Sequence, residues 1–436
     1  MKKKFVSIDH TYKHSCKTEL HNSKKRLSEN TKYSIRGSGS SLSAASFGPG
    51  LTVLEQNPEY NFIDIDTVNN QINVSAQLTL FEVFKFLTPK KFYLKSVPSY
   101  PMATVGGCIA YNAHGQNHYR DGCFGNHVRE ITLYHPRYGD LTLSKKNRSD
   151  LFELTINGFG LTGIIKSARI EIYKLTSNTV TITRIPYSSL KESFDIFMKY
   201  KDSYDFYHTW TDLMNPTIDK QNGFLELAKI NKNDFDQRND FSNRFSPPLS
   251  RFWPVNIFGT KIMKFVNQFY YKSKIKTKFE VTSLFNFQHP SFNKMYYFSM
   301  FGSKGMFEHQ TLIPSENIKL YLKDFIKLVC YYKPIISLCH TKLFGNYSHK
   351  MSFTGKGYAI AFHVPNNSKH KTFLGKVDKL DCQYNCKTNI IKDSRLTTNV
   401  IYQQYRSDIN DFKTELIKFD PKRIFSNRIS ETLLGL

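Results

Sequence analysis

Three glycine-rich segments near the start of the chain carry residue types suited to one kind of chemistry. They are "IRGSGSSLS" at 35–43, "PMATVGGCIAYNAHGQNHYRDGCFG" at 101–125 and "NGFGLTGII" at 157–165. Glycine lacks a Cβ, so backbone amides in such loops approach a phosphate or a flat ring with nothing between. One loop of this kind says little. Three along one β-rich region imply a large ligand wrapped by backbone. The middle segment has almost no aliphatic periodicity after Ile109, and its own side chains cannot hold it. The expectation is that a bound cofactor, through its pyrophosphate and rings, takes the place of the missing core.

Other constellations are weaker. Gly158, Gly160 and Gly163 match G-x-G-x-x-G, but a dinucleotide fingerprint needs a helix directly after the glycines. Here "ARIEIYKL" alternates apolar and polar residues as a strand does, which excludes a Rossmann reading. His114 and His118 stand four apart, yet Gly115 lies between them and no carboxylate ligand is placed nearby, so no metal site is expected. The seven cysteines include no Cys-x-x-Cys pair and no second pair at zinc spacing, which points to free thiols in a reducing compartment.

The elements that must position these loops follow from hydrophobic period. Residues 1–30 are polar and read as a partly ordered lead-in. "YSIRGSGSSLSAASFGPG", 33–50, reads as a strand feeding a Gly/Ser loop. "INVSAQLTL", 72–80, alternates as a half-buried strand, and "LFEVFKFL", 80–87, switches to helical spacing. "EITLYHPRYGDLTLS", 130–144, reads as a hairpin turning at Tyr138-Gly139-Asp140. From about 178 glycines thin out and aromatics crowd segments such as "RFWPVNIF" and "FVNQFYYKSK". "SENIKLYLKDFIKLV", 315–329, reads as a helix with Ser315 as N-cap.

At 436 residues the chain divides into two domains. No apolar run reaches bilayer-spanning length, and no apolar stretch after the basic N-terminus suggests a signal peptide. The net charge of +25 is spread along the chain. Its Lys-, Asn-, Ile- and Phe-rich composition fits codon bias, and no nucleic-acid motif accompanies the charge.

The collinear segments "TVGG" (104–107), "HGQNHYRDGCFGNHV" (114–128), "NGFGLTGII", "TKLFG" (341–345), "KDSR" (392–395) and "FDPKRIFSN" (419–427) resemble the flavin oxidoreductases with a PCMH-type FAD-binding domain, the vanillyl-alcohol oxidase superfamily. Within it they are most similar to the branch that oxidises the 2′-hydroxyl of a polyprenyl-phosphate-linked ribose. That reaction is the first half of an epimerisation in cell-wall or surface polysaccharide biosynthesis. The resemblance implies an α+β fold: a two-part FAD-binding domain, residues 1–177 with 387–436 returning to it, and a substrate-binding domain, 178–386, with an antiparallel sheet and flanking helices.

By the same resemblance, Arg36, Gly37, Ser38, Gly39, Ser40 and Ser41 hold the FAD pyrophosphate. Ser40 stands near the position of the superfamily's covalent flavin histidine, so non-covalent FAD is expected. Thr104, Val105, Gly106, Gly107, Cys108, Ile109, His114, Gly115 and Asn117 line the diphosphate, ribityl chain and ring; Gly160, Leu161 and Ile165 lie on the adenine side. Lys392 belongs beside the isoalloxazine, where a fixed ammonium stabilises the negative charge that hydride transfer leaves on the ring. His114 and Lys342 join it as candidate catalytic residues. Gln310, Lys342, Gln288 and Ala361 line the substrate pocket. Gln288 stands where the relatives carry tyrosine and Ala361 where they carry a reactive cysteine. The implied partners are a polyprenyl-phosphate sugar, a separate short-chain reductase, and a peripheral contact with the inner surface of the membrane by a cytoplasmic protein, with no nucleic acid. Two other functions stay open: an aldonolactone or sugar-alcohol oxidase acting on a soluble carbohydrate, and a non-enzymatic basic surface-binding protein.

Overall fold

The computed structural model describes residues 1–21, 26–55, 57, 61–232, 235, 255–292, 294, 296–432 and 434–436. Residues 251–254 of the aromatic "RFWPVNIF" segment lie outside them. The architecture is α+β. A four-stranded sheet runs in the order Lys2–Val6, Lys13–Leu20, Thr52–Glu55, Tyr33–Ile35; its first pair is antiparallel and the others parallel. An antiparallel five-stranded sheet follows, in the order Ile63–Asp66, Gln71–Ser75, Ile164–Glu171, Val128–His135, Gly139–Ser144.

Residues 1–20 are thus two strands and not a lead-in. Phe5 and Cys16 alone supply the buried face, against Phe47 and Val53, while the surrounding lysines stay exposed and hide the pattern. The strand expected over 72–80 stops at Ser75, because Thr79 opens a helix, Leu80–Leu87. Thr79 Oγ1 accepts from the Glu82 amide at 3.2 Å and Glu82 Oε2 accepts from the Thr79 amide at 2.7 Å. This reciprocal cap contributes about 1 kcal/mol and fixes the register of the apolar face, Leu80, Val83, Phe84 and Leu87. The hairpin turns at 136–138, slightly earlier than expected, since Gly139 already opens the second strand.

The second half holds two antiparallel four-stranded sheets. One runs Phe206–Thr211, Gly223–Ile230, Thr179–Tyr187, Phe279–Ser283; the other runs Leu338–Phe344, Gly357–Pro365, Met306–Pro314, Lys387–Thr388. Helices Leu190–Tyr200, Ile318–Tyr332 and Ser368–Gln383 share a core with them around Phe325, Tyr358 and Phe362. Ser315 does not cap the first turn of Ile318–Tyr332: its hydroxyl donates to the Lys356 carbonyl, and Asn317 takes the N-cap position.

After the edge strand Lys387–Thr388 the tail crosses to the first half. Helix Thr398–Phe419 buries Ile401, Tyr405, Ile409, Phe412 and Leu416 against Ala45, Leu154, Phe159 and Leu161. Beyond it the Tyr33 amide donates to the Ile424 carbonyl at 2.8 Å. The segment 389–396 is therefore stretched between the two halves, tied at both ends.

Candidate active site

A cavity of about 690 Å³ opens where the three glycine segments meet, within the size range of small-molecule and cofactor sites. Arg36 to Ser41 form one wall, Thr104, Gly106, Gly107 and Cys108 a second, and Gly160 and Ile165 a third; Lys392 closes it from the tail. The first two walls pack directly, since a Cβ on Gly37 would lie 2.5 Å from Thr104 Oγ1. Ser43 joins the first wall to the tail: its amide and hydroxyl donate to the Ile391 carbonyl at 3.4 and 3.0 Å.

The chemistry of this lining fits a dinucleotide cofactor. Among the described residues, the amides of Gly37, Ser38, Gly39, Ser40 and Ser41 make no hydrogen bond within the protein. Five successive unsatisfied donors suit a pyrophosphate. Both ring nitrogens of His21 and Oε1 of Gln77, two further lining groups, are buried without a partner. The glycines themselves sort into two kinds. A Cβ on Gly160 would meet nothing within 4 Å, and on Gly107 only Thr104 Oγ1 at 3.1 Å, so both leave room on the cavity side. A Cβ on Gly115, Gly122 or Gly125 would strike protein instead, at 2.8, 2.5 and 2.5 Å.

That sorting corrects the expectation for the middle segment. Only its first half, as far as Ala113, borders the cavity. The rest is held by protein: the Gly125 amide donates at 3.0 Å to Asn112, which itself donates to Ser352 Oγ at 3.0 Å, and His118 stacks on Phe344 at 3.8 Å. Asn117 spends its side chain on the Lys95 carbonyl and Asp121, at 2.9 and 2.8 Å, and Gly115 packs against Val97 backbone. Neither borders the cavity. Val105, Ile109 and Leu161 lie in hydrophobic cores because the short helix Val105–Ala110 and the loop after Phe159 turn them inward.

A polar surface adjoins the cavity, through Lys392, on one face of the second antiparallel sheet of the second half. Strand period 2 puts Glu308 and Gln310, His340 and Lys342, and Ala361 and His363 on one face, with Glu308 opposite His363, Gln310 opposite Ala361 and His340 opposite Ala361. Gln310 Nε2 lies 3.4 Å from His114 Nε2, and its Oε1 accepts from Asn389 at 2.8 Å. Gln310, Lys342, Ala361 and His114 are thus brought together. Gln288 is not. The helix Leu284–Gln288 turns it toward Phe84, Thr88 and Tyr93, where it borders a separate small cavity.

Glu308 links this face to the cavity. Oε1 lies 3.4 Å from Lys392 Nζ and Oε2 accepts from His363 Nε2 at 2.9 Å. Burial alone would raise its carboxyl, but the charges of Lys392 and His363 hold it well below the usual range. Lys342 is pushed down to about 8 by burial and by the Lys392 charge, with Glu308 pulling the other way. Burial and then Lys342 drive the imidazoles of His114 and His340 far below 6.5, so both are neutral.

The loop bearing Lys392 is clamped from the opposite face of the same strand. His309 places Nδ1 2.9 Å from Asp393 Oδ2 and Nε2 2.9 Å from Asp381 Oδ2, all fully buried. Both nitrogens must donate, so the ring is an imidazolium; burial opposes that charge, but Asp381 and Asp393 raise it to about 9. Arg395 bonds Asp393 at 2.7 Å and Asp378, and Ser394 donates to Asp9. Asp393, Ser394 and Arg395 of "KDSR" are therefore anchors, which leaves Lys392 as the member that reaches the cavity. Glu308, His309 and His363 escaped the sequence reading. The available signal was "MFEHQTLIP": a strand buried at eight of nine positions with Glu-His-Gln-Thr at its centre.

A glycine-lined cavity with a run of unsatisfied amides suits a cofactor that carries a pyrophosphate. Residues 24–141 match the FAD binding domain family. The chain carries an FAD-binding domain of the PCMH type and is an FAD-binding oxidoreductase. Over 421 residues, 91% of this chain and 88% of the relative, it is 25% identical to a decaprenylphosphoryl-β-D-ribose oxidase of Mycolicibacterium smegmatis. A 102-residue stretch, 23% of this chain and 27% of the relative, is 28% identical to an uncharacterized protein in the mprA 5′ region of Streptomyces coelicolor.

Proposed function

We propose that this oxidoreductase oxidises a secondary hydroxyl of a sugar, the 2′-hydroxyl of a polyprenyl-phosphate-linked pentose, as the first half of an epimerisation completed by a separate short-chain reductase. The observation that carries the reading is the reach of the likeness to the mycobacterial oxidase, which covers the substrate half as well as the cofactor half.

FAD, bound without a covalent link, supplies the hydride acceptor. Arg36 to Ser41, Thr104, Gly106, Gly107 and Gly160 would hold it through the backbone positions that border the cavity. Ser40 offers no ring nitrogen for covalent attachment at that loop. Oxidation of a carbinol also releases the hydroxyl proton, which needs an acceptor on the protein. Lys342 is suited to accept it. The side chain is buried and its ammonium gives up a proton near pH 8, so a useful fraction is neutral at physiological pH. Lys392 has the complementary role. Its ion pair with Glu308 keeps a positive charge at the cavity edge, where it orients an electron-rich group. His114, neutral and beside Gln310, is placed to hydrogen-bond a hydroxyl without carrying charge.

The test is anaerobic reduction of the purified yellow protein followed by stopped-flow absorbance, with a polyprenyl-phosphoribose and, separately, an aldonolactone and a sugar alcohol. Fast bleaching by the lipid-linked sugar alone is expected. Bleaching by the soluble sugars alone would replace the substrate and leave the cofactor reading intact.

A further inference from the structure

We propose that the helix Thr260–Ile275 is a docking element for an anionic lipid surface. The helix has two unlike faces. Met263 and Asn267 are buried, Tyr270 packs on Trp210 at 5.1 Å and on Phe224 at 6.0 Å, and Asn267 donates to Asp212 at 2.8 Å. These contacts fix the helix to the first sheet of the second half. A second row, Ile262, Phe265, Val266 and Phe269, follows the i, i+3, i+4, i+7 spacing of an apolar stripe, yet it faces away from the protein. Ile262 is 54% exposed, Phe265 72%, Val266 46% and Phe269 69%. A soluble helix normally turns such a stripe inward. Two phenylalanines left in water at adjacent turns call for a covering surface.

Charge identifies that surface. From Thr260 to Lys278 the chain contains lysines at 261, 264, 272, 274, 276 and 278 and no acidic residue. At about 100° per residue, Lys261 and Lys272 flank the apolar stripe on one side. Lys261 also sits in the first turn, which has no acidic residue, against the preference of the helix dipole for negative charge there. The sequence therefore forgoes helix stabilisation in water and gains a positive border around exposed aromatic rings. A face of this kind lies in the interface of a bilayer, with rings among the acyl chains and ammonium groups at anionic headgroups. The proposal stands apart from the substrate reading, since no residue of this helix borders the cavity.

The experiment is flotation of the FAD-loaded full chain with vesicles of phosphatidylcholine alone or with one third phosphatidylglycerol. Binding to the anionic vesicles, weakened by salt, is expected. Phe265→Ser with Phe269→Ser should lower the partition coefficient at least tenfold while the flavin spectrum and melting temperature stay unchanged. Lys261→Glu with Lys272→Glu should do the same through charge. Failure of the native protein to float with anionic vesicles overturns the proposal. So does a double phenylalanine variant that floats normally, which would make the binding a general effect of the +25 charge. Self-association that the phenylalanine changes abolish, without lipid binding, would assign the face to a second copy of the chain instead.

Discussion

The cofactor cavity and the polar sheet face beside it are built on opposite plans. The cavity is lined largely by the backbone of three short glycine-bearing runs, with side chains from neighbouring strands, such as His21 and Gln77, and Lys392 from the tail filling in between. The sheet face is made of buried charge: Glu308, Lys342 and the edge lysine Lys392, braced by His309 between two aspartates. A cavity wall of backbone tolerates many ligands but no added side chain. A cluster of buried charges tolerates no missing partner, because each group left alone has lost its water. The contrast teaches where each part breaks: the first on addition, the second on deletion.

The largest expected effect tests the first half of that statement. Gly107→Val should abolish FAD binding, leaving a colourless protein. Its Cβ meets only Thr104 Oγ1 at 3.1 Å, so the branched side chain extends into the cavity and the fold persists. Circular dichroism should show native secondary structure, with a melting temperature lowered only by the loss of ligand stabilisation. A normal flavin spectrum in this variant would move the cofactor elsewhere. Next in size is Lys392→Ala, expected to keep FAD and to slow flavin reduction by about 10²–10³-fold, the usual loss for one preorganised charged partner. Lys392→Arg should restore little, since a planar fork does not fill the position of a point-charge ammonium beside Glu308.

The same contrast explains what was legible in the sequence. The cavity walls could be read because each is a local string, and glycine spacing survives without knowledge of the fold. The helix at 80–87 was equally plain, with its cap and its apolar face in one short run. The strands at 2–6 and 13–20 were hidden because one buried residue each is enough in a strand packed on one side only. The charged cluster was hidden for a different reason. Glu308 and Lys392 are 84 positions apart, and His309 and Asp381 are 72 apart. No local period announces such pairs; they exist only once the sheet has aligned residue 308 with 363 and the tail has crossed over. Gln288 shows the converse error. Its place in the collinear likeness pointed to the substrate pocket, but a five-residue helix turns it toward Phe84 and Tyr93.

Deletion within the brace should destabilise more than it slows chemistry. His309→Gln leaves Asp381 and Asp393 without the cation between them, and Arg395 compensates only on the Asp393 side. A loss of about 3–5 kcal/mol in denaturant unfolding is the usual result of breaking a buried ionic group. The native protein should also reveal the imidazolium through pH. Its folded pKa, about 9, lies above the unfolded 6.5, so this stabilisation is complete below about 6.5 and is lost as pH rises through 9. Unfolding free energy measured from about pH 6 to 10 should fall across that window in the native chain and stay flatter in His309→Gln. Parallel curves would mean that the ring is neutral and that Arg395 alone supplies the cation that pairs with Asp393.

The smallest effect, and the most discriminating, belongs to Glu308→Gln. The substitution keeps the shape of the side chain and one hydrogen-bonding oxygen for His363, and Lys342 can shed its proton once the carboxylate is gone, so FAD content should hold and melting should fall less than in His309→Gln. What it removes is negative charge between Lys392 and Lys342. Glu308 raises the pKa of Lys342, opposing burial and the charge of Lys392. With the carboxylate gone, Lys342 should lose its proton at a lower pH. If neutral Lys342 accepts the hydroxyl proton, the rate of flavin reduction in the native enzyme rises with pH through about 8 and levels off above it. In Glu308→Gln the same limb should move to lower pH, by about one unit for a charge this close. A structural role for Glu308 would lower the rate at every pH and leave the limb in place. Lys342→Met separates the remaining possibilities, since it should erase the limb altogether. A limb that survives in Lys342→Met would assign proton acceptance to another group, and the pairing of Glu308 with Lys392 would then serve only to hold the ammonium at the cavity edge.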